Sequence, residues 1–183
     1  MIYAHRILAE LDRHLDSRVE LTLYGRAAFF LGFSDPPSQF SQSLDVDAVL
    51  WLGQAEELDL KSNFWSALEK TNEVLEPEGF YMSHLFEEDQ VILTKEWRQQ
   101  RVVIEGEWKH LQLSRLSDVD LFLSKLMRDD PQDREDALFI VERCQWSAEE
   151  VGQICRRAII PDLQELRDEF EKASLAVVEE VTR

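Results

Sequence analysis

The sequence predicts an α+β protein in which a small mixed sheet is flanked by helices and followed by an all-helical C-terminal part. Segments rich in strand-forming residues alternate with helical patterns up to about residue 117. Beyond that point every periodic segment has helical spacing. We therefore expect an α/β core over residues 1–117 and a helical subdomain over residues 118–183 that packs on it.

The stretch Ser43–Trp51 predicts the central strand of this sheet. Because side chains alternate along a strand, Asp45 and Asp47 are expected on one face, and the apolar residues that follow predict burial on both faces. Two neighbouring carboxylates at the entry of a buried strand repel each other and lose hydration, which favours a compensating cation. Mg²⁺ suits this position, because proteins hold it with one or two carboxylates together with substrate phosphates. The alternative interpretation is that both aspartates are solvated at a wet strand end.

The other elements of the core follow from the same two periodicities. Alternating strand formers predict a strand over 19–24 that ends at Gly25, and a short apolar helix over 26–31 follows it. Apolar residues at helical spacing predict a first helix over 3–16. The remaining predicted elements are a helix over 59–76 and short strands over 80–85, 90–94, 101–105 and 111–116.

Four helices are predicted after residue 117, over about 118–128, 132–144, 148–158 and 162–180. Ser147 and Glu150 have the spacing of a capping box, which predicts the start of the third of these helices. Pro161 separates the last two, since proline does not fit a helix interior.

The charge of the chain limits its partners. It carries 20 Lys and Arg against 37 Asp and Glu in 183 residues, a net charge of −17. This excess opposes unspecific attraction to nucleic acid or to anionic lipid, so we expect no broad nucleic-acid surface and no membrane association. No apolar run reaches the length of a membrane helix. The two cysteines have no metal or redox spacing, which indicates free thiols in a reducing, cytoplasmic environment.

Several common catalytic patterns are missing from the sequence. It has no phosphate-binding loop, no dinucleotide glycine pattern, and no Ser-His-Asp or Cys-His arrangement. The histidines lack metal-ligand spacing and are interpreted as structural or surface residues: His5, His14, His84 and His110.

Four short motifs occur in a fixed order along the chain. Gly25–Ala28 forms a glycine turn after the first strand, and Ser43–Asp47 carries the Asp-x-Asp pair about 20 residues later. Asp118–Leu126 and Asp133–Asp136 follow. With these motifs in this order, residues 19–141 resemble the nucleotidyltransferase fold of the polymerase-β type. The likeness is greatest to bacterial nucleotidyltransferase-like proteins related to abortive-infection toxins of the AbiE type.

This resemblance implies a small mixed sheet of the nucleotidyltransferase type and a mechanism that depends on divalent metal. In such proteins the paired aspartates, here Asp45 and Asp47, hold Mg²⁺, which neutralises a nucleoside triphosphate and activates the attacking hydroxyl of a protein or an RNA. The glycine turn lets a helix N-terminus approach the phosphates. The residues that would contact the nucleotide there are Gly25, Arg26 and Ser43.

Two further residues and a biological context are implied by the same resemblance. A third carboxylate on a neighbouring strand completes such sites, and Glu105 is the candidate, with a surface residue at a strand end as the alternative. A lysine at the position of Lys125 points at the nucleotide or at the acidic cluster. It could equally be solvated, or form an ion pair with Asp133 or Asp136 that braces two helices. The context is a toxin–antitoxin or phage-defence system with an antitoxin-like partner protein.

Arg26 departs from the family pattern, which has a second small residue in the glycine turn. A long cation at this point either covers the phosphates or pairs with Asp45 and Asp47 and leaves an inactive pseudo-site. The second alternative would make the chain a non-catalytic relative that binds a partner protein or a nucleotide.

Overall fold

The structure, a computed structural model, describes residues 3–38, 40, 43–128 and 130–183. The chain forms two compact units. One comprises Met1–Glu87 and Arg101–Arg115, and the other comprises Glu88–Gln100 and Leu116–Arg183. Strands and helices mix in the first unit and helices dominate the second, which confirms the predicted α+β class. Within the described residues, no helix has both the length and the apolar character needed to cross a membrane.

A five-stranded mixed sheet forms the centre of the first unit, in the order β3-β2-β1-β5-β4. Its strands are β1 (Val19–Tyr24), β2 (Asp45–Leu50), β3 (Tyr81–Glu87), β4 (Val102–Val103) and β5 (Leu111–Arg115). Strand β1 pairs antiparallel with β2 and parallel with β5. Strand β2 also pairs parallel with β3, so it lies between two neighbours, as predicted for a central strand. The predicted strand over 101–105 is reduced to the two residues of β4, which pair antiparallel with β5.

Burial along β2 confirms the predicted two-sided packing. Val46, Ala48 and Val49 are 0% exposed, and Leu50 is 1% exposed. Because successive side chains point to opposite faces, these residues show that both faces of β2 are covered after Asp47.

Among the described residues of the first unit, the α-helices are α1 (Tyr3–His14), α2 (Gly25–Gly32), α3 (Gln54–Lys61) and α4 (Phe64–Leu75). The single helix predicted over 59–76 is therefore wrong, because α3 ends before α4 begins. The Ser62 hydroxyl donates to the Leu58 carbonyl at 2.7 Å and accepts the Phe64 N–H at 3.2 Å. Short polar side chains compete with the helical backbone in this way, and the apolar periodicity alone does not reveal the break.

The second unit contains α5 (Asp118–Ser124), α6 (Pro131–Cys144), α7 (Ala148–Arg156) and α8 (Gln164–Val181). All four predicted helices are present, although α5 is shorter than expected. The predicted capping box between Ser147 and Glu150 is confirmed at the start of α7.

The strand predicted over 90–94 does not form. Leu93 makes only an isolated bridge with Ile159. The Thr94 N–H and hydroxyl instead donate to one carboxylate oxygen of Asp120, at 2.7 and 2.9 Å. Ser117 donates to the other oxygen at 2.7 Å. The buried Asp120 carboxylate of α5 thus accepts the Thr94 N–H, which would otherwise be free to pair with a neighbouring strand.

Candidate metal site on the sheet

Asp45 and Asp47 lie on one face at the start of β2, as the alternation predicts. Both are partly exposed, whereas Val46 between them is fully buried. Their carboxylate oxygens and a ring nitrogen of His84 lie within 4.8 Å of one another. The structure therefore brings together two oxygen donors and one nitrogen donor in a group that has the size of a metal site.

His84 reaches this group through the pairing of β2 with β3. The register runs from Asp45 opposite Tyr81 to Asp47 opposite His84, with an irregularity after Val46. Without that irregularity Ser83 would stand opposite Asp47. Bulges of this kind re-aim side chains and are frequent beside functional sites. As a result, Nδ1 of His84 lies 3.0 Å from Oδ1 of Asp47.

Aromatic and polar neighbours fix the orientation of the His84 ring. It stacks on Phe86 with a centroid separation of 5.6 Å and an interplanar angle of 3°. Phe86 in turn makes an edge contact with Tyr24. The Ser83 hydroxyl lies 2.8 Å from Nδ1 of His84. The ring is 55% exposed but is held on three sides, by Phe86, Ser83 and Asp47.

Gly25 lies against the carboxylate of Asp47 and opens α2. Its φ is +69°, a conformation that glycine adopts without steric cost. A Cβ at this position would approach Oδ2 of Asp47 to 3.0 Å. The positive φ is what favours glycine here, and a side chain at this position would also push the Asp47 carboxylate aside. The N-terminus of α2, where backbone N–H groups favour negative charge, therefore lies beside the aspartate pair, as expected from the motif order.

Ser43 and Arg26 also lie near the start of β2. The Ser43 hydroxyl donates to Oδ1 of Asp45 at 2.8 Å, so Ser43 orients a metal-ligand candidate. The guanidinium carbon of Arg26 lies 5.6 Å from the centroid of the Phe40 ring, within the range of a cation–π contact.

The structure does not bring Glu105 to the aspartate pair. This residue is exposed and follows β4, which is separated from β2 by β1 and β5. With neighbouring strands about 4.8 Å apart, the β2 and β4 backbones lie about 14 Å from each other. Its assignment as the third carboxylate is therefore corrected, since sequence cannot show how many strands lie between two segments. His84 on β3, a direct neighbour of β2, is the residue that lies beside Asp47.

Lys125 is also not assigned to the site. It belongs to the second unit, where its ammonium lies 2.9 Å from Asp133 and 2.8 Å from Asp136. All three side chains are at most 9% exposed. The ion-pair alternative of the sequence interpretation is therefore the one observed, and the lysine bridges the end of α5 to α6.

Sequence reasoning missed His84, which is 37 residues from Asp47. His84 lies in the segment 80–85, which was predicted to be a strand. The sequence did not show that this strand would pair with β2. The bulge that selects His84 over Ser83 leaves no periodic signal, so the register was not predictable.

No protein-family model matches the chain, and neither the curated proteins nor the solved structures include one that matches it. The resemblance to nucleotidyltransferases therefore rests on the motif order in the sequence and stays a prediction.

Proposed function

We propose that the chain is a metal-dependent nucleotidyltransferase, which moves a nucleotide from a nucleoside triphosphate to a hydroxyl of a protein or an RNA. One observation carries this proposal: the carboxylate of Asp47, which shares a metal-sized cluster with Asp45, lies against Gly25, where α2 begins. A carboxylate pair and a helix N-terminus at one place provide for a cation and for phosphate oxygens together.

The residues present fit a divalent cation. Asp45 and Asp47 would hold it, and Ser43 keeps the Asp45 carboxylate oriented through its hydrogen bond. When bound, such a cation neutralises the triphosphate and lowers the pKa of the attacking hydroxyl. The N–H groups at the start of α2 would orient the phosphates.

The biological setting is proposed from the motif resemblance. It is a toxin–antitoxin or phage-defence system in which an antitoxin-like protein is the partner. The net charge of −17 favours a protein or a short, locally bound RNA end as the acceptor over a long bare RNA.

Thermal unfolding with each of the four nucleoside triphosphates, in Mg²⁺ or Mn²⁺, tests the proposal. One of them is expected to stabilise the protein by about 2.7 kcal/mol at 100 times its Kd. Asp47→Asn should abolish this shift, and Asp59→Asn, which removes one exposed charge from α3, should retain it. Transfer of label from the α-labelled nucleotide to protein or RNA then identifies the acceptor. Absence of a shift with every nucleotide and both ions would contradict the proposal.

A non-catalytic role is the second candidate, and the contact between His84 and Asp47 is the observation that favours it. A hydrogen bond across this 3.0 Å contact would engage the Asp47 carboxylate without metal. The site would then need no ion and would serve as a binding surface. This candidate expects no metal dependence in the unfolding experiment.

A further inference from the structure

We propose that His84 is the third protein ligand of the Asp45 and Asp47 site, and that the site therefore selects Mn²⁺ over Mg²⁺. This inference rests on the metal-binding part of the proposed function and adds the identity of the ion. It does not depend on whether a nucleotide is transferred.

The distance between His84 and Asp47 fits two ligands of one ion. Two donors in adjacent positions of an octahedral ion, each about 2.1 Å from it, lie about 3.0 Å apart. Nδ1 of His84 and Oδ1 of Asp47 are 3.0 Å apart. One carboxylate oxygen of Asp45, one of Asp47 and one ring nitrogen of His84 all lie within 4.8 Å of one another. A single ion could therefore take one donor atom from each of the three residues, with further positions left for water or phosphate oxygens.

The surroundings of His84 hold the ring in place for this role. Stacking on Phe86 fixes the plane of the imidazole, and the bulge in the pairing of β2 with β3 places it opposite Asp47. A surface histidine with no role would require neither feature. The side chain is 55% exposed, and an ion that binds Nδ1 would replace the contact of this atom with the Ser83 hydroxyl, which lies 2.8 Å away on the exposed Ser83.

The donor types determine which ion is preferred. Carboxylate oxygens suit Mg²⁺ and Mn²⁺ alike, whereas imidazole nitrogen favours first-row transition metals. Mg²⁺ usually takes oxygen ligands and keeps several waters. A site of two carboxylates and one imidazole should therefore lose little Mg²⁺ affinity, but much Mn²⁺ affinity, when the imidazole is removed.

Metal binding by the full chain, measured without nucleotide, tests this inference. Free Mn²⁺ is followed by electron paramagnetic resonance, and Mg²⁺ affinity is obtained by competition. The variants are His84→Ala, Asp47→Asn and, as a matched loss of one imidazole elsewhere, His5→Ala. We expect His84→Ala to weaken Mn²⁺ binding by about 10-fold or more, a loss reported even for residues that only support a ligand. His84→Ala should leave Mg²⁺ binding nearly unchanged, and His5→Ala should alter neither affinity.

A spectroscopic signature tests direct coordination in the parent protein. Pulsed electron paramagnetic resonance of bound Mn²⁺ should show coupling to a ¹⁴N nucleus, and His84→Ala should remove it. Equal losses of Mn²⁺ and Mg²⁺ affinity in His84→Ala, an unchanged Mn²⁺ affinity, or absence of ¹⁴N coupling in the parent would each overturn the inference.

The outcomes separate this inference from the proposed function. His84-dependent Mn²⁺ binding without any nucleotide effect would support the ligand assignment and contradict nucleotide transfer. Metal binding that needs Asp47 but not His84 would overturn the ligand assignment and leave the proposed function standing. A parent protein that binds neither ion would overturn both.

Discussion

Asp45 and Asp47 have opposite effects on stability in the two functional alternatives. In a metal site the two carboxylates repel each other when no ion is bound. Changing both to Asn keeps their shape and removes the repulsion, so the metal-free double variant should be at least as stable as the parent. If Arg26 instead pairs with them, the same change leaves a cation without its partners. Because all three residues are partly exposed, the expected cost lies between the ~1 kcal/mol of a surface pair and the ~3–5 kcal/mol of a buried one.

Urea unfolding of the metal-free variant with Asp45→Asn and Asp47→Asn measures whether its free energy of unfolding falls below that of the parent. The control is Glu56→Gln with Asp59→Asn, which removes two exposed charges from α3. We expect no loss of the free energy of unfolding in the site variant, together with loss of its stabilisation by metal. A loss of more than about 1 kcal/mol would identify an internally neutralised pseudo-site and would contradict the catalytic proposal.

For single residues of the candidate site, the sequence predicted the features that arise within one segment and missed the contacts between distant segments. The shared face of Asp45 and Asp47 follows from strand alternation, and Gly25 was identified by the turn that it forms. The position of Glu105 depends on the strand order, and the position of His84 depends on a bulge. Neither feature is written in the periodicity of a single segment.

Lys125 connects two helices and carries the clearest prediction at the scale of elements. It bridges the end of α5 to the buried carboxylates of Asp133 and Asp136 on α6. Removing one member of a buried ion pair leaves uncompensated charge. Lys125→Met should therefore lower the free energy of unfolding by about 3–5 kcal/mol, whereas Lys95→Met, at an exposed position, should change it by no more than about 0.5 kcal/mol.

The pH dependence of stability provides a second measurement of the same contact. Burial acts to raise the pKa of Asp133, but the charge of Lys125 and the hydrogen bonds from Arg128 and Lys125 outweigh it, so the pKa is lowered from 3.8. A carboxyl with a lowered pKa stabilises the fold above its unfolded value and loses that contribution as the pH falls through the folded value. We expect the difference between parent and Lys125→Met to be full above about pH 5 and to shrink below pH 3.8. A difference that does not change with pH would contradict this assignment.

Element prediction succeeded where apolar spacing decides and failed where single polar side chains decide. The helices of the second unit and strands β1, β2 and β5 follow from periodicity. The break at Ser62 and the missing strand over 90–94 each depend on side-chain hydrogen bonds to the backbone. Such bonds are local competitors of regular structure, and their partners can be far away in sequence.

For the whole molecule, the predicted α+β class is confirmed. The sequence was least informative about which segments belong to which compact unit. A change from mixed to purely helical patterns near residue 117 predicted the order of the two parts. The structure groups Glu88–Gln100 with the helical unit, where Thr94 is bonded to the buried carboxylate of Asp120. That contact joins residues 26 apart and has no sequence pattern of its own. The packing of the helical part on the sheet stays a prediction.

The net charge of −17 predicts how salt affects the stability of the whole chain. Like charges repel across the surface, and salt screens them, since the Debye length falls from about 30 Å at 0.01 M to about 8 Å at 0.15 M. Salt also weakens exposed ion pairs, but each of these is worth only about 0–1 kcal/mol. With 17 uncompensated negative charges, repulsion should dominate, so the melting temperature should rise between 10 and 150 mM KCl.

Tetramethylammonium chloride at the same ionic strength is the control for this measurement, because it screens charge without acting as a carboxylate ligand. Equal rises with both salts would assign the effect to the charge of the whole surface. A rise with KCl alone would locate it at specific carboxylates, and Asp45→Asn with Asp47→Asn would then show whether this pair is among them. A fall in the melting temperature with both salts would contradict the prediction, since it would mean that ion pairs outweigh the repulsion.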